Sequence, residues 1–264
     1  SVAGCANDGG EENGSGVGSE TGLKRIRNGT DMTAKYADIT VVLDRSASME
    51  SMKGAMIEKY NDFVGEMRKH PGDNRWTMVQ FDDPDSARGA GEPFPQVMFE
   101  HQREAAVPDL SAVTSGSISS GRAARVPFVP RGSTALVDAL CTTIERTELR
   151  TSNLSGEIKV VMLIVTDGQE NSSRQYTSPQ LREMVARTQG KGFEYLYLGA
   201  NQDAFTEAGK YRIGGAVPAS YGLAADACYA NDFEATPAGM RGAVYSGFMG
   251  VCSIASGSIK AGVI

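Results

Sequence analysis

Two almost wholly apolar runs, 39–43 and 160–165, each lead into an aspartate, Asp44 and Asp167. This pair of features constrains the fold more than any other. A run that is apolar on both faces, rather than alternating, suits a strand covered by helices on both sides, as in a parallel sheet. Between such runs the spacing is helical. Over 50–69 the residues Met52, Met56, Tyr60, Phe63 and Met67 form one apolar stripe. Further strands are predicted at 76–81, 94–99 and 193–198, with helices at 134–150, from Ser178-Pro179 to about Gly190, at 203–209 and from Thr236-Pro237. The stretch 213–230 is ambiguous and has room for one more strand. Strands alternating with helices predict an α/β fold with three layers, a doubly wound and mainly parallel central sheet carrying helices on both faces. Ligands of such sheets bind beyond the carboxyl ends of the strands, where Asp44 and Asp167 both arrive.

Of the 264 residues, 41% are hydrophobic, enough for a single cored domain, which we place at 36–260. The formal net charge of −6 argues against non-specific nucleic-acid binding, which depends on a basic surface. Residues 7–21 have almost no large apolar groups, so 1–35 reads as a disordered tether or a misassigned extension. Met32 runs directly into the first strand, as a compact cytoplasmic protein would begin. The alternative is a lipid anchor outside the cytoplasm through Cys5, since Val2-Ala3-Gly4-Cys5 resembles the end of a bacterial lipoprotein signal. A flexible insertion is expected at about 102–130, where 113–125 is rich in Ser, Gly, Ala and Arg. Cys141 falls in a predicted helix and reads as a small core residue, and a Cys228–Cys252 disulfide is left open.

The segment Asp44-Arg45-Ser46-Ala47-Ser48 places an acid and two hydroxyls at alternate positions after a strand. Oxygen donors of this kind suit hard divalent cations. About ninety residues later comes Arg131-Gly132-Ser133-Thr134, opening a helix, and about thirty further on comes Thr166-Asp167-Gly168. Together Asp44, Ser46, Ser48, Thr134 and Asp167 resemble the metal-ion-dependent adhesion site (MIDAS) of the von Willebrand factor A (vWA) family. The resemblance covers about 36–210, and the stretch 195–204 looks like small bacterial and phage-encoded members. Ala47 departs from the glycine usual between the two serines.

The resemblance implies a non-catalytic, divalent-metal-dependent protein-binding module. Mg²⁺, with Mn²⁺ or Ca²⁺ as substitutes, would bind at those five residues. A partner would supply a Glu or Asp, and the loops around Ala47, Gly132 and Gly168 would meet it. Alternatives within the resemblance are a subunit of a larger machine, for instance with an AAA-type ATPase, and a lipid-anchored surface adhesin.

Competing readings of the same residues are weaker. Asp44 and Ser46 could be ordinary caps of the helix that follows. A haloacid-dehalogenase-type phosphatase would need a second acid where Ser46 stands. A serine hydrolase would need a base, and only His70 and His101 are available, with no Gly-x-Ser-x-Gly elbow. Asp82, Asp83 and Asp85 read as a solvated turn. The span 242–259 is uncharged but rich in Gly and Ser, and its three- and four-residue spacing suits a helix on a sheet better than a membrane span.

Overall fold

Strand β1 (Tyr36–Asp44) lies inside a six-stranded sheet, between β2 (Arg75–Phe81) on one side and, on the other, the later strand Ile158–Thr166. The computed structural model describes residues 36–69, 71–112, 125–152, 154, 158–200, 204–213 and 230–233, all within the unit Thr33–Ile264. The expectations for 1–35, Cys5, His70, the centre of the insertion, Cys228–Cys252, the helix from Thr236 and the span 242–259 lie outside these residues.

In chain order, β1 and β2 flank α1 (Lys53–Lys69), which is entered through a 3-10 turn at Ala47–Met52. After β2 come α2 (Pro84–Gly89), β3 (Gln96–Arg103), β4 (Asp109–Ser111), β5 (Arg125–Pro127) and α3 (Leu136–Ser152). The chain continues through β6 (Ile158–Thr166), α4 (Ser178–Gln189), β7 (Phe193–Ala200), α5 (Ala204–Lys210) and β8 (Ala230–Phe233). The sheet order is β3-β2-β1-β6-β7-β8. All pairings are parallel except β2 with β3, so the fold is the expected α/β type with a mainly parallel central sheet.

The period of two along each strand sorts its side chains between two cores. Ile39, Val41 and Leu43 of β1, Val161, Leu163 and Val165 of β6, and Leu196 and Leu198 of β7 meet the stripe of α1, namely Met56, Tyr60, Phe63, Val64 and Met67. On the opposite face Val42, Val160, Met162, Ile164, Tyr195 and Tyr197 meet α3, α4 and α5 through Leu140, Cys141, Ile144, Leu181, Val185 and Ala208. Cys141 is thus a buried core residue. Helix α4 is capped by Thr177, one residue before the expected Ser178, because Gln180 Oε1 reaches back to the Thr177 N–H at 2.8 Å.

The described parts of the expected flexible insertion are built into the domain. Because β3 is antiparallel, the chain leaves it at the amino edge of the sheet. Glu104 is buried there and accepts hydrogen bonds from the Gly72 N–H and, at 2.8 Å, from Asn74 Nδ2. Val107, Leu110, Val126 and Phe128 then join the core under α1, and β4 and β5 pair in parallel. The helix α2 was also not foreseen. Its N-cap is Asp83, whose carboxylate accepts the N–H groups of Asp85 (3.0 Å) and Ser86 (2.9 Å).

At the amino edge a fully buried acid, Asp38 of β1, receives Arg150 of α3 through Nε at 3.1 Å and Nη2 at 2.6 Å, with His101 Nδ1 3.1 Å away. Register shifts between β2 and β3, with a positive φ of 53° at His101, carry that ring toward β1. Glu100 joins Arg150 to Arg146 and is held down at a pKa of about 2, chiefly by the Arg146 hydrogen bonds. Removing one partner of a buried ion pair leaves an uncompensated charge. Arg150→Met should therefore lower stability by about 3 kcal/mol. Urea unfolding at neutral pH checks this, and an unchanged midpoint would refute the clasp.

Candidate metal centre

The carboxyl edge of the sheet is where β1 and β6 stop side by side. Leu43 pairs with Val165, so the next residues, Asp44 and Thr166, emerge together. The Thr166 hydroxyl donates to Asp44 Oδ2 at 2.6 Å, and the Gly168 N–H donates back to Thr166 Oγ1 at 3.2 Å. Asp44 Oδ1 accepts the Ser46 N–H at 2.7 Å, which turns the chain sharply at the strand end. The loop 44–48 is therefore folded around its own first ligand candidate.

The two serine hydroxyls face the second acid. Ser48 donates to Asp167 Oδ1 at 2.7 Å, and Ser46 Oγ lies 3.0 Å from Ser48 Oγ. With the Ser48 proton committed to Asp167, the order is Ser46 to Ser48 to Asp167. Ser46 precedes the 3-10 turn but makes no side-chain capping bond, so its hydroxyl is not used as an ordinary cap. Among the described residues positive φ outside glycine occurs only at His101 and Arg212, so Ala47 occupies its position without left-handed strain.

Thr134 comes to this crevice from the start of α3. A Cβ placed on Gly168 would lie 2.9 Å from Thr134 Oγ1, 3.7 Å from Ser48 Oγ and 3.8 Å from Asp44 Oδ2. That cradle brings the three chain segments to one point. The structure thus gathers Asp44, Ser46, Ser48, Thr134 and Asp167 at one edge. Asp44, Ser46 and Thr134 are buried, and Ala47, Ser48 and Gly132 are exposed at the rim. The loops around Ala47 and Gly132 are joined by the Ala47 N–H to the Gly132 carbonyl at 3.1 Å.

Several residues that hold the site were not singled out in the sequence. Asn171 exchanges two hydrogen bonds with the backbone of Thr134, at 3.0 and 3.1 Å. Glu170 accepts the Val137 N–H at 2.8 Å, and Ser173 Oγ accepts the Asp138 N–H at 3.0 Å. The orphan donors at the start of α3 are therefore satisfied by a distant loop. Asp138 returns the support, its carboxylate accepting the N–H groups of Arg174, Gln175 and Tyr176 at 2.7, 3.0 and 2.7 Å. The expected solvated turn of Asp82, Asp83 and Asp85 is corrected here. Asp82 is 0% exposed, and Asp83 is buried and accepts the Ser133 N–H at 2.7 Å. Only Asp85 faces solvent, because the other two bind the Thr134 loop. The positive φ of 67° at Gly132, with Asp83 Oδ2 2.3 Å from where its Cβ would stand, requires glycine there.

The donor set fits a hard divalent cation. Burial pushes the Asp44 carboxyl up to about 7 against the hydrogen bonds from Thr166 and Ser46, and the nearby Asp167 adds to the rise. Burial also raises Asp167, opposed by its bond from Ser48. Two carboxylates made costly by burial, with neutral hydroxyls beside them, form an all-oxygen group that a divalent cation would neutralise. Among the described residues no three His, Cys, Asp or Glu side chains converge as an alternative metal-holding group.

No protein-family model matches the chain, and no curated protein matches it by sequence. Solved structures do resemble it. Proximal thread matrix protein 1 from the mussel byssus, with a zinc-occupied MIDAS motif, aligns with a TM-score of 0.51 at 16% identity, over 83% of this chain and 46% of that one. A second crystal form of the mussel protein gives 0.45 at 15% identity, over 82% and 48%. Manganese-loaded Plasmodium vivax TRAP protein gives 0.44 at 11% identity, over 81% and 73%. This chain therefore spans about half the length of the mussel protein. Its fold is that of a von Willebrand factor A domain.

Two outcomes follow for this crevice. In Gly168→Ala the new methyl would crowd Thr134 Oγ1, so divalent-cation affinity should fall about tenfold while the fold persists. Calorimetric titration with Mn²⁺ checks this, and wild-type affinity would contradict the cradle. The raised Asp44 pKa has a definite sign. The folded state holds that proton more tightly, so the contribution is full below about pH 4, the unfolded value, and is lost as pH rises through about 7. With chelator present, the urea midpoint should fall between about pH 4 and 7, and Asp44→Asn should flatten that slope.

Proposed function

We propose that this chain is a divalent-metal-dependent protein-binding module that takes up an acidic side chain of a partner at the carboxyl edge of its sheet. The observation that carries the reading is the convergence of Asp44, Ser48 and Thr134 on the Gly168 cradle, with Ser46 and Asp167 completing an oxygen-only set. The mussel protein with the same fold carries zinc at a MIDAS motif, which supports placing a metal at this position. We assign Mg²⁺, with Mn²⁺ or Ca²⁺ able to substitute, because the donors are carboxylates and hydroxyls with no nitrogen or sulfur among them.

When bound, the cation supplies an electrophilic position that a carboxylate from outside can occupy. The chain's own residues set how strongly it does so. Ser46, Ser48 and Thr134 are neutral donors and leave the ionic charge uncancelled, so only Asp44 and Asp167 offset it. The hydrogen bonds from Thr166 and Ser46 hold the Asp44 carboxylate in place, and the Asn171 brace holds Thr134. Ala47 and Gly132 form an exposed rim small enough to let a partner approach. We read the module as non-enzymatic. His101, the described histidine, is engaged with Asp38 at the amino edge, away from the crevice, and Ser46 stands where a phosphatase would need its second acid.

Titration of Mg²⁺ and Mn²⁺ into the full chain tests the reading. Saturable one-site binding is expected, with at least a tenfold loss in Thr134→Ala and no loss of fold by circular dichroism. Equal binding by the variant would refute the site. Protein retained on the immobilised chain with Mg²⁺ should elute with chelator. Release of an AAA-type ATPase in that fraction would identify the larger-machine version of the same function.

A further inference from the structure

Arg45 lies between two of the candidate ligands, Asp44 and Ser46, yet its side chain serves a different purpose. Alternation along the strand end sends it away from the crevice, and its N–H continues the sheet ladder to the Phe81 carbonyl at 2.8 Å. The residue is only 4% exposed. A guanidinium buried to that degree is tolerated only when its charge is matched.

The match is a closed ring of four side chains. Arg45 Nε forms an ion pair with Asp82 Oδ2 at 3.3 Å without a hydrogen bond, and Arg45 Nη2 donates to Glu92 Oε2 at 2.7 Å. Arg131 approaches the same two oxygens, with Nε 2.6 Å from Asp82 Oδ2 and Nη2 2.5 Å from Glu92 Oε2. Gln96 adds an acceptor for Arg45 Nη1 at 2.6 Å. Two acids and two bases thus share their contacts, and each acid bridges both bases. Asp82 is fully buried, while Arg131 and Glu92 are 28% and 29% exposed.

The ring joins the two segments that carry the hydroxyl ligands. Arg45 belongs to the loop with Ser46 and Ser48, and Arg131 belongs to the loop with Thr134. Backbone bonds follow the same seam. The Arg131 N–H donates to the Arg45 carbonyl at 2.8 Å, the Ala47 N–H to the Gly132 carbonyl at 3.1 Å, and the Ala135 N–H to the Asp82 carbonyl at 2.8 Å. The ring's ion pairs and its bond to Gln96 run among residues other than Asp44, Ser46, Ser48, Thr134 and Asp167. The ring thus ties the segment carrying the serine hydroxyls to the segment carrying the threonine hydroxyl. Groups behind the ligands of a metal site commonly set its affinity by this means.

We propose that Arg45, Arg131, Asp82 and Glu92 form a positioning clamp that sets the spacing of the Ser46–Ser48 loop and the Thr134 loop, and thereby the affinity of the cation site. The clamp rests on the metal-binding reading given above. It also makes the 90–95 loop, through Glu92, a part of the structure whose movement alters the metal edge.

The test is Glu92→Gln in the full chain, which keeps shape and removes the charge that both arginines share. Mn²⁺ affinity is measured by calorimetry, and amide hydrogen exchange is measured in chelator. The expected result is an affinity loss of about tenfold, with faster exchange at Ala47, Arg131 and Ala135 and unchanged exchange in β6. Arg131→Lys should show the same pair of effects. Glu100→Gln, which breaks an ion-pair network at the opposite edge, controls for general destabilisation and should leave the affinity within twofold. Wild-type affinity in Glu92→Gln and Arg131→Lys would overturn the clamp while leaving the metal site standing. A loss in Glu100→Gln equal to that in Glu92→Gln would also overturn it. Absence of saturable Mn²⁺ binding by the unaltered chain would overturn the metal reading itself, and the clamp's role with it.

Discussion

The parallel register of β1 against β6 is the constraint on which the rest of this molecule depends. With Leu43 opposite Val165, two acids far apart in the chain leave the sheet at the same edge. A shift of one residue would turn Asp44 to the opposite face and exchange the side chains that meet α1 with those that meet α3 and α4. The register is therefore held by the two cores, in which odd- and even-numbered residues of β1, β6 and β7 are divided between opposite helical layers. Packing in the middle of the sheet decides where the chemistry sits at its end.

The carboxyl edge illustrates how buried polar groups are made tolerable by mutual satisfaction. Asp138 accepts three backbone N–H groups from the loop after β6, and that loop returns Glu170 and Ser173 to the start of α3. Asp83 does the same for α2 and Ser133. Each acid spends its oxygens on a segment distant in sequence, so the loops behave as one braced unit. A preorganised crevice loses little entropy on binding.

Much of the architecture was legible in the sequence. The strand at 158–166 and the helix ending near Gly190 appear almost as periodicity and capping signals place them, because both are governed by local chemistry. The Asp44-x-Ser46-x-Ser48 pattern was legible for the same reason, as alternation after a strand end. The reading of 102–130 as a flexible insertion differs from the described structure, where Val107, Leu110, Val126 and Phe128 are buried. Their isolated apolar side chains carry no period, and a short segment laid against α1 needs none. The Asp82-Asp83-x-Asp85 cluster was misjudged because acids in a turn are usually solvated. Here two of them are buried by arginine and backbone partners that arrive from far along the chain.

By itself the sequence determined the layer architecture, the two strand ends that carry Asp44 and Asp167, and the oxygen-donor types available beside them. These follow from hydrophobic period and residue chemistry, which act over a few residues. The tertiary structure alone decided which groups stand behind those donors. The Arg45–Asp82–Arg131–Glu92 ring, the Asn171 brace on Thr134 and the Asp38–Arg150 clasp each join residues more than thirty positions apart. No local pattern encodes such pairings, because a buried charge is satisfied by whichever partner the folded chain delivers to it.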